Sequence, residues 1–253
     1  YMSVMEALVH AGLANDVDPE IVWVNAESAT KEEMDRIFRT VSGILVPGGF
    51  GPRGTEGKIF AASFAREHGI PFLGLCYGLH MAVIEVARNV LGLPGANSTE
   101  IDPNTPYPVI DLMPDQKGVQ MGGTMRLGLW PCKLEPGTKA HAAYGEPLVH
   151  ERHRHRFEVN NSFRDRLAAA GLIVSGASPD GNLAEIVELR DHPYYVSCQF
   201  HPELISRPKR SHPLFRDFIA AAKLTLPEGS QRELPLEEDE PAATPSVVST
   251  QGS

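Results

Sequence analysis

The chain has 253 residues, 42% of them hydrophobic, with three cysteines and a formal net charge of −9. This size and composition favour one sizeable α/β domain, and the few, widely spaced cysteines indicate reduced thiols instead of a disulfide framework. The acidic balance argues against nucleic-acid binding, and the absence of long apolar runs and of a secretory pattern argues against membrane insertion or secretion. We therefore expect a cytoplasmic protein.

Apolar spacing over the first ninety or so residues alternates between the periods of helices and strands. Thr30 and Glu33 have the spacing of a capping box at the start of the second predicted helix. Such an alternation is typical of a doubly wound, mostly parallel central sheet flanked by helices. The predicted helices are residues 2–13, 30–41, 56–68 and 77–91, and the predicted strands are residues 21–25, 43–46 and 70–75.

The second half reads as a mixed arrangement of strands, which follows a loop rich in Pro and Asn that ends at Pro108. Its predicted strands are residues 109–113, 124–134, 148–159, 172–175, 183–189 and 194–199, and residues 213–224 form the last predicted helix. We predict one domain over residues 1–224. An acidic tail over residues 225–253 is rich in Pro, Ser and Thr and has no aromatic residue, so we predict that it is disordered.

The chain opens on Tyr1 and leads directly into a predicted helix. A doubly wound domain normally opens with a central strand. The sequence therefore predicts a fragment of a longer protein, from which the first strand of the fold is missing.

Cys76 lies where a predicted strand meets a predicted helix, within the segment Gly-Leu-Cys-Tyr-Gly at 74–78. Small residues on both sides of a nucleophile permit the sharp turn that lifts its side chain above a sheet. A helix amino terminus favours the thiolate, and the N–H of Tyr77 can donate to a developing oxyanion. A lone cysteine is more often a core residue, which is our interpretation of Cys132 and Cys198. At Cys76 the flanking glycines favour a nucleophile.

A thiolate that attacks an amide needs a base to pass a proton to the leaving ammonia, and a third group to orient that base. His201 and Glu203 occur in the segment Gln-Phe-His-Pro-Glu, at the end of the last predicted strand. Positions i and i+2 of an extended chain point to the same side, so Glu203 can reach the ring nitrogen of His201 that faces away from Cys76. By itself, His-Pro-Glu is also compatible with a surface turn. Together with the cysteine turn, it predicts a Cys-His-Glu triad.

These two motifs resemble those of the class I, or triad, glutamine amidotransferases. Segments 46–51, 96–100, 122–128 and 151–160 are further similar to the glutaminase domain of the CTP synthase family. The resemblance runs from residue 1 to about residue 224. It implies an α/β glutaminase domain that hydrolyses L-glutamine and supplies ammonia for the ATP-dependent amination of UTP to CTP. The amidoligase domain that performs this amination has no counterpart in the sequence.

The resemblance also implies a glutamine-binding site, with backbone contacts to the oxyanion from Gly49 and Tyr77. Glu100 would pair with the substrate ammonium and Arg156 with its carboxylate. The implied glutamine-binding residues are Gly49, Tyr77, Gly78, Leu79, His80, Glu100 and Arg156. No metal or cofactor is expected in this chain, whereas ATP and Mg²⁺ are implied for the absent synthase domain.

Phe50 and Arg53 resemble lid residues that respond to GTP as an allosteric activator, and the resemblance implies a homotetrameric parent protein. Two positions depart from the family pattern. Tyr77 and His80 stand where Leu and Gln are usual. We expect His80 to pack or to alter glutamine binding. A catalytically silent regulatory domain and a stand-alone γ-glutamyl hydrolase therefore remain alternative functions.

Two other motifs have competing interpretations. Residues 49–54 match G-x-G-x-x-G, but the following strand ends in Leu75 and Cys76 and provides no acidic group for a ribose, which disfavours a dinucleotide site. A glycine loop that faces an oxyanion explains the pattern better. The alternating Arg and His residues at 152–156 could form a nucleic-acid patch or a metal site. Strand alternation would separate the arginines from the histidines, and we favour a carboxylate-binding Arg156.

Overall fold

The computed structural model describes residues 1–112 and 125–226 of the chain. In this part of the chain, no helix is long and apolar enough to cross a membrane. The helices are α1 (Met2–Ala14), α2 (Lys31–Phe38), α3 (Thr55–His68), α4 (Tyr77–Asn89), α5 (Lys139–Tyr144), α6 (Arg164–Ala169) and α7 (Pro213–Leu224). The strands are β1 (Ile44–Val46), β2 (Phe72–Leu75), β3 (Ala96–Ser98), β4 (Tyr107–Leu112), β5 (Arg126–Leu134), β6 (Leu148–His155), β7 (Phe157–Val159), β8 (Leu172–Ala177), β9 (Ala184–Leu189) and β10 (Tyr195–Cys198).

A central sheet of seven strands carries the helices, and its strand order is β1-β2-β10-β9-β8-β5-β6. The strands β1, β2 and β10 are parallel to one another, whereas each of the other neighbouring pairs is antiparallel. A smaller sheet has the order β3-β4-β7. The predicted α/β fold, with mixed strands in its second half, is confirmed. Parallel pairing in the central sheet is confined to β1, β2 and β10, and β3 pairs with β4 in parallel in the smaller sheet.

The strands β2, β9 and β10 of the central sheet are buried on both faces, and in β2 and β10 alternate residues enter two different apolar cores. In β2, Phe72 packs with helices α2, α3 and α4, whereas Leu73 and Leu75 pack with α1, α5 and α7. Tyr195 and Val196 of the neighbouring β10 divide in the same way. Burial on both faces explains why these short strands read as continuous apolar runs.

Most predicted elements are present, with their ends shifted by a few residues, and the Thr30 capping box forms as predicted. The strand predicted at 21–25 is wrong. This segment is irregular and has no neighbouring strand among the described residues. Its Ile21 and Val24 pack against the two apolar cores, whereas Val22 and Trp23 are exposed. The segment predicted as one strand over 148–159 is instead split into β6 and β7, which belong to different sheets.

The short elements β3, α5 and α6 were not predicted, since segments of three to six residues show little periodicity. Some predictions lie wholly or partly outside the described residues. They are the ends of two strands at residues 113 and 124, part of the segment 122–128, and nearly all of the acidic tail.

Two glycines allow helix α4 to begin directly against the central sheet. A Cβ built on Gly78 would lie 2.2 Å from the carbonyl oxygen of Val46 in β1. One built on Gly74 would lie 2.5 Å from Oγ of Ser197 in β10 and 2.8 Å from the carbonyl oxygen of Gly78. The approach of helix to sheet therefore requires a residue without a side chain at both positions.

We expect Gly78→Ala to destabilise the fold by about 3 kcal/mol, because a backbone oxygen cannot move away as a flexible side chain can. The measurement is urea unfolding, followed by circular dichroism. Gly69→Ala is a matched comparison. Gly69 has a left-handed φ of 66° and no atom near a built Cβ, so only about 1 kcal/mol is expected there. Equal costs at the two positions would contradict the close packing of α4 on β1.

Candidate active site

Cys76 connects β2 to α4 in a strained backbone conformation. Its φ of 50° and ψ of −98° lie outside the regions that non-glycine residues usually adopt. The N–H of Cys76 donates to the carbonyl oxygen of Cys198 at 2.7 Å, and its own carbonyl accepts from the N–H of Leu79 at 3.0 Å. Strain of this kind costs about 1–3 kcal/mol and persists where the surroundings hold it. Here β10 and the first turn of α4 hold the thiol at the sheet edge.

His201 lies beside Cys76 and is oriented by Glu203. Nδ1 of the imidazole is 2.7 Å from Oε1 of Glu203, and the backbone N–H of His201 donates to the carbonyl oxygen of Arg152 at 2.8 Å. The expected contact is present, but it does not arise in extended chain. Residues Pro202–Leu204 form a 3₁₀ turn, which brings the carboxylate back towards the ring.

The protonation of His201 depends on both of these neighbours. Burial alone would lower the pKa of His201, but hydrogen bonds with Cys76 and Glu203, together with their negative charges, raise that pKa to about 10. An imidazole that stays protonated beside a thiol can hold it as a thiolate. The arrangement of Cys76, His201 and Glu203 is thus capable of forming a thiolate–imidazolium pair.

A glycine loop lies close to the thiol and the imidazole. A Cβ built on Gly48 would lie 3.0 Å from Cε1 of His201 and 3.8 Å from Cβ of Cys76. One built on Gly49 would lie 3.6 Å from the Tyr77 ring. The N–H of Tyr77 is at the first position of α4, where a helix offers no internal acceptor. The loop and the helix end therefore expose backbone close to the thiol.

The Tyr77 side chain packs beneath this loop and contacts it directly. Its hydroxyl donates to the carbonyl oxygen of Gly51 and lies 3.1 Å from the hydroxyl of Thr55. Nζ of Lys58 is 5.0 Å from the centre of the Tyr77 ring, within the range of a cation–π contact. Burial raises the pKa of Tyr77, so the hydroxyl stays neutral. The Tyr77 ring is thus held by Gly51, Thr55 and Lys58.

Glu100 contacts the same loop from the opposite side. Its Oε1 accepts a hydrogen bond from the N–H of Gly51 at 3.1 Å, and burial raises the pKa of Glu100. Gly51 is consequently held through its carbonyl by Tyr77 and through its N–H by Glu100. Nε of Arg156 is buried and has no hydrogen-bond partner among the described residues, so it remains able to bind an acceptor.

The remaining predicted residues are Gly78, Leu79, Phe50 and Arg53. Gly78 packs against β1, and Leu79 is fully buried in the core, so neither presents a side chain to a substrate. Phe50 is 85% exposed at the tip of the loop. Arg53 forms an exposed ion pair with Glu27, at 2.8 Å between Nη2 and Oε2.

Gln199 also contacts the thiol, and the sequence reasoning missed this residue. Its Nε2 is 3.8 Å from Sγ of Cys76, and its Oε1 is 3.0 Å from Nε2 of His80. Burial lowers the pKa of His80 to about 4, although the contact with Gln199 opposes the shift, so His80 is neutral. In the sequence, Gln199 is marked only by its position two residues before His201, and that position does not reveal a contact with the thiol.

The two histidines of the alternating Arg and His run lie in a buried charged cluster that we name the β5–β6 cluster. Within it, Nδ1 of His153 is 2.8 Å from Nε2 of His155, and Nη1 of Arg126 is 2.5 Å from Oε1 of Glu185. Among the described residues, no group of His, Cys, Asp or Glu has an arrangement that could hold a metal ion. The members of the β5–β6 cluster are Arg126, His153, His155, Glu158 and Glu185.

The sequence and the fold both match those of known glutamine amidotransferases. The family model described as glutamine amidotransferase class-I matches residues 1–221. The chain belongs to this family. It is 35% identical to the Trypanosoma brucei CTPS glutaminase domain, whose structure has bound acivicin, with a TM-score of 0.83 over 88% of each chain. Within the amidotransferases, the chain is thus a glutaminase domain of the CTP synthase type.

Curated relatives extend this similarity in sequence. The chain is 68% identical over 247 residues to the CTP synthase of Thermomicrobium roseum, which covers 98% of this chain and 44% of that protein. It is 62% identical over 241 residues to the CTP synthase of Roseiflexus castenholzii, with 94% and 43% of the two proteins covered. The chain therefore spans less than half the length of these relatives.

We expect the glutaminase domain to lose stability as the pH falls below about 6.5. Burial lowers the pKa of His80 to about 4 and that of His153, which also lies near Arg126, to about 3. The unfolded chain takes up protons near pH 6.5 that the folded chain excludes, so this stability is present above pH 6.5 and lost towards pH 4. Glu185 acts in the opposite direction, because burial raises its pKa to about 7.

His80→Gln should reduce the slope of unfolding free energy against pH by up to about 1.4 kcal/mol per pH unit, the value for one proton. The measurement is urea unfolding at several pH values between about 4.5 and 6.5, the range set by the histidine titration. His150→Gln, at an exposed position of β6, controls for the loss of a histidine. An unchanged slope in His80→Gln would show that His80 titrates alike in the folded and unfolded chains.

Proposed function

We propose that this chain hydrolyses the side-chain amide of L-glutamine, with Cys76 as the nucleophile, His201 as the acid–base group and Glu203 as the residue that positions His201. The observation that carries the proposal is the hydrogen bond between Nδ1 of His201 and the Glu203 carboxylate, at 2.7 Å, in an imidazole whose pKa is also raised by the neighbouring Cys76. Membership of the glutamine amidotransferase family supports the same chemistry.

The reaction begins when the Cys76 thiolate attacks the amide carbon of glutamine. The oxyanion that forms is stabilised by backbone N–H groups of Gly49 and Tyr77. Imidazolium His201 then gives its proton to the leaving nitrogen, which departs as ammonia and leaves a thioester. A water molecule, deprotonated by His201, attacks the thioester, so that glutamate is released and the thiol is restored.

Recognition of the free amino acid rests on Glu100 and Arg156 in this proposal. The Glu100 carboxylate pairs with the substrate ammonium, and the Arg156 guanidinium pairs with the substrate carboxylate. The unpaired, buried Nε of Arg156 supports this role, since a buried guanidinium without an acceptor is costly. Both charges together select glutamine over a peptide that contains it.

The names and lengths of the relatives support a wider proposal. The relatives are CTP synthases, of which the chain covers 44% and 43%. We propose that the ammonia aminates UTP to CTP in a synthase (amidoligase) domain of the same parent protein, with ATP and Mg²⁺ bound there. In this scheme the parent is a cytoplasmic homotetramer. The exposed Phe50 and Arg53 belong to a lid that responds to GTP as an allosteric activator.

Replacement of the nucleophile tests the core of the proposal. In the protein produced from its complete reading frame, Cys76→Ala should lower ammonia release from glutamine by about 10³-fold or more. Cys132→Ala is the matched control, because Cys132 is a buried, free cysteine of β5. Ammonia release that is unchanged in Cys76→Ala would refute the proposal.

Labelling with a chloromethyl ketone analogue of glutamine separates an active site from a silent one. An active site should be alkylated selectively at Cys76, and excess glutamine should protect it. Equal labelling of all three cysteines would favour the catalytically silent domain.

Charge removal at Glu100 tests substrate recognition. Glu100→Gln keeps an oxygen acceptor for the Gly51 N–H but removes the negative charge, so the KM for glutamine should rise about 10- to 100-fold, with a smaller change in kcat. The rise is expected from the loss of a charge-assisted hydrogen bond. Glu56→Gln, at an exposed position of α3, is the control. An equal KM for glutamine in the two variants would contradict a role for Glu100 in substrate binding.

A further inference from the structure

Gln199 forms a contact with the Cys76 thiol that lies outside the triad. The carboxamide Nε2 is 3.8 Å from Sγ, and the Gln199 side chain is fully buried. The backbone N–H of Gln199 donates to the carbonyl oxygen of Glu185 at 2.8 Å, which fixes the residue between β10 and β9. A buried amide has no water to satisfy it, so its direction is decided by its protein partners.

His80 decides which end of the Gln199 amide faces the thiol. A neutral imidazole has one N–H, and Nε2 of His80 lies 3.0 Å from Oε1 of Gln199. With the proton on Nε2, His80 donates to Oε1, and the NH₂ end of the amide points to Cys76. In this tautomer the reverse orientation would direct two donors at each other, and in either tautomer it would direct a carbonyl oxygen at a thiolate.

The helix geometry maintains this arrangement. His80 lies in the first turn of α4, and Cys76 is the residue that immediately precedes this helix. The backbone N–H of His80 is 3.4 Å from the carbonyl oxygen of Cys76. Gln199 bridges the two side chains from the neighbouring strand end.

We propose that Gln199 stabilises the Cys76 thiolate by donating an amide N–H to it, and that His80 is the positioning residue that fixes the direction of this amide. The proposal rests on the proposed role of Cys76 as a nucleophile. A hydrogen bond to an ionised acceptor is stronger than one between neutral groups. Gln199 thus favours the reactive form of the thiol without adding a charge or accepting its proton.

Other titratable groups face this arrangement, and they remain in place in the variants below. His201 and Glu203 approach from the turn after β10, and Cys198 precedes Gln199 in β10 itself. The β5–β6 cluster is close to His80 and His201. The proximity of His80 contributes to the lowered pKa of His155, and the proximity of His201 to that of His153. The groups concerned are Lys58, Tyr77, Arg126, His153, His155, Glu158, Glu185, Cys198, His201 and Glu203.

The test is the pH dependence of Cys76 alkylation by iodoacetamide in the full protein, followed by peptide mass spectrometry. Gln199→Leu should move the pH midpoint of alkylation upward by about one unit, which corresponds to about a tenfold loss of thiolate below the midpoint. Gln199→Glu has the same shape but replaces the donor with an acceptor, and we expect at least as large a shift.

His80 is tested by a pair of variants. His80→Leu removes the donor to Oε1, so an upward shift in the same direction is expected. His80→Gln offers a new N–H and should restore the midpoint of the original protein. His192→Gln controls for replacement of a buried histidine, since His192 bonds to Ala65 and Tyr194 away from the thiol. Thermal unfolding of each variant reports whether it folds.

An unchanged midpoint in folded Gln199→Leu or Gln199→Glu would overturn the role of Gln199. A shift in His80→Gln as large as that in His80→Leu would overturn the role of His80. Glutamine turnover separates this inference from the proposed function. If the original protein releases no ammonia, but Gln199→Leu still shifts the alkylation midpoint, the glutaminase proposal fails and the amide contact stands. In an active protein we expect Gln199→Leu to lower kcat with little change in KM.

Discussion

The hydrogen bond from the N–H of Cys76 to the carbonyl oxygen of Cys198, at 2.7 Å, holds the site together. It ties the strained connection between β2 and α4 to the end of β10, the strand that leads to His201. The candidate nucleophile and its base come from segments more than a hundred residues apart. The parallel pairing of β2 with β10, with Leu75 opposite Cys198, brings those segments together.

Helix α4 links this strand pairing to the rest of the site. Its first turn packs so closely on β1 that Gly78 has no room for a side chain, and the same turn presents the N–H of Tyr77 and the ring of His80. A small movement of the helix would therefore change the nucleophile, the oxyanion donor and the partner of Gln199 together. The fully buried core beneath α4 opposes such a movement.

The sequence predicted the first half of the fold well, because its helices are long enough to show a period and its short buried strands read as continuous apolar runs. It predicted a strand at 21–25 wrongly, since alternating apolar residues do not reveal whether a neighbouring strand is available. The split between β6 and β7 at Arg156 was missed for the same reason. Strand pairing is a tertiary property, and the local pattern does not encode it.

The candidate site shows a similar division. Cys76, His201 and Glu203 were predicted because their motifs have a chemical reason for each residue, and the structure places the Glu203 carboxylate within hydrogen-bonding distance of His201. Gln199 was missed, since a glutamine in a strand carries no charge or nucleophile that marks it. Its importance depends on the distance to Sγ and on the neutral state of His80, and only the folded structure supplies either.

The two hydrogen bonds of Gly51 make the attachment of the exposed loop depend on the charge near Glu100. Tyr77 holds its carbonyl, while the N–H is bound by Glu100, a carboxylate that has few other partners. A cation that pairs with Glu100 draws the negative charge of the carboxylate towards itself and so weakens the hydrogen bond from this N–H. A positive charge at Glu100 therefore weakens one of the two hydrogen bonds that hold the loop and leaves the hydrogen bond from Tyr77 in place. Phe50, at the solvent-exposed end of the loop, would then move relative to the fixed carbonyl of Gly51.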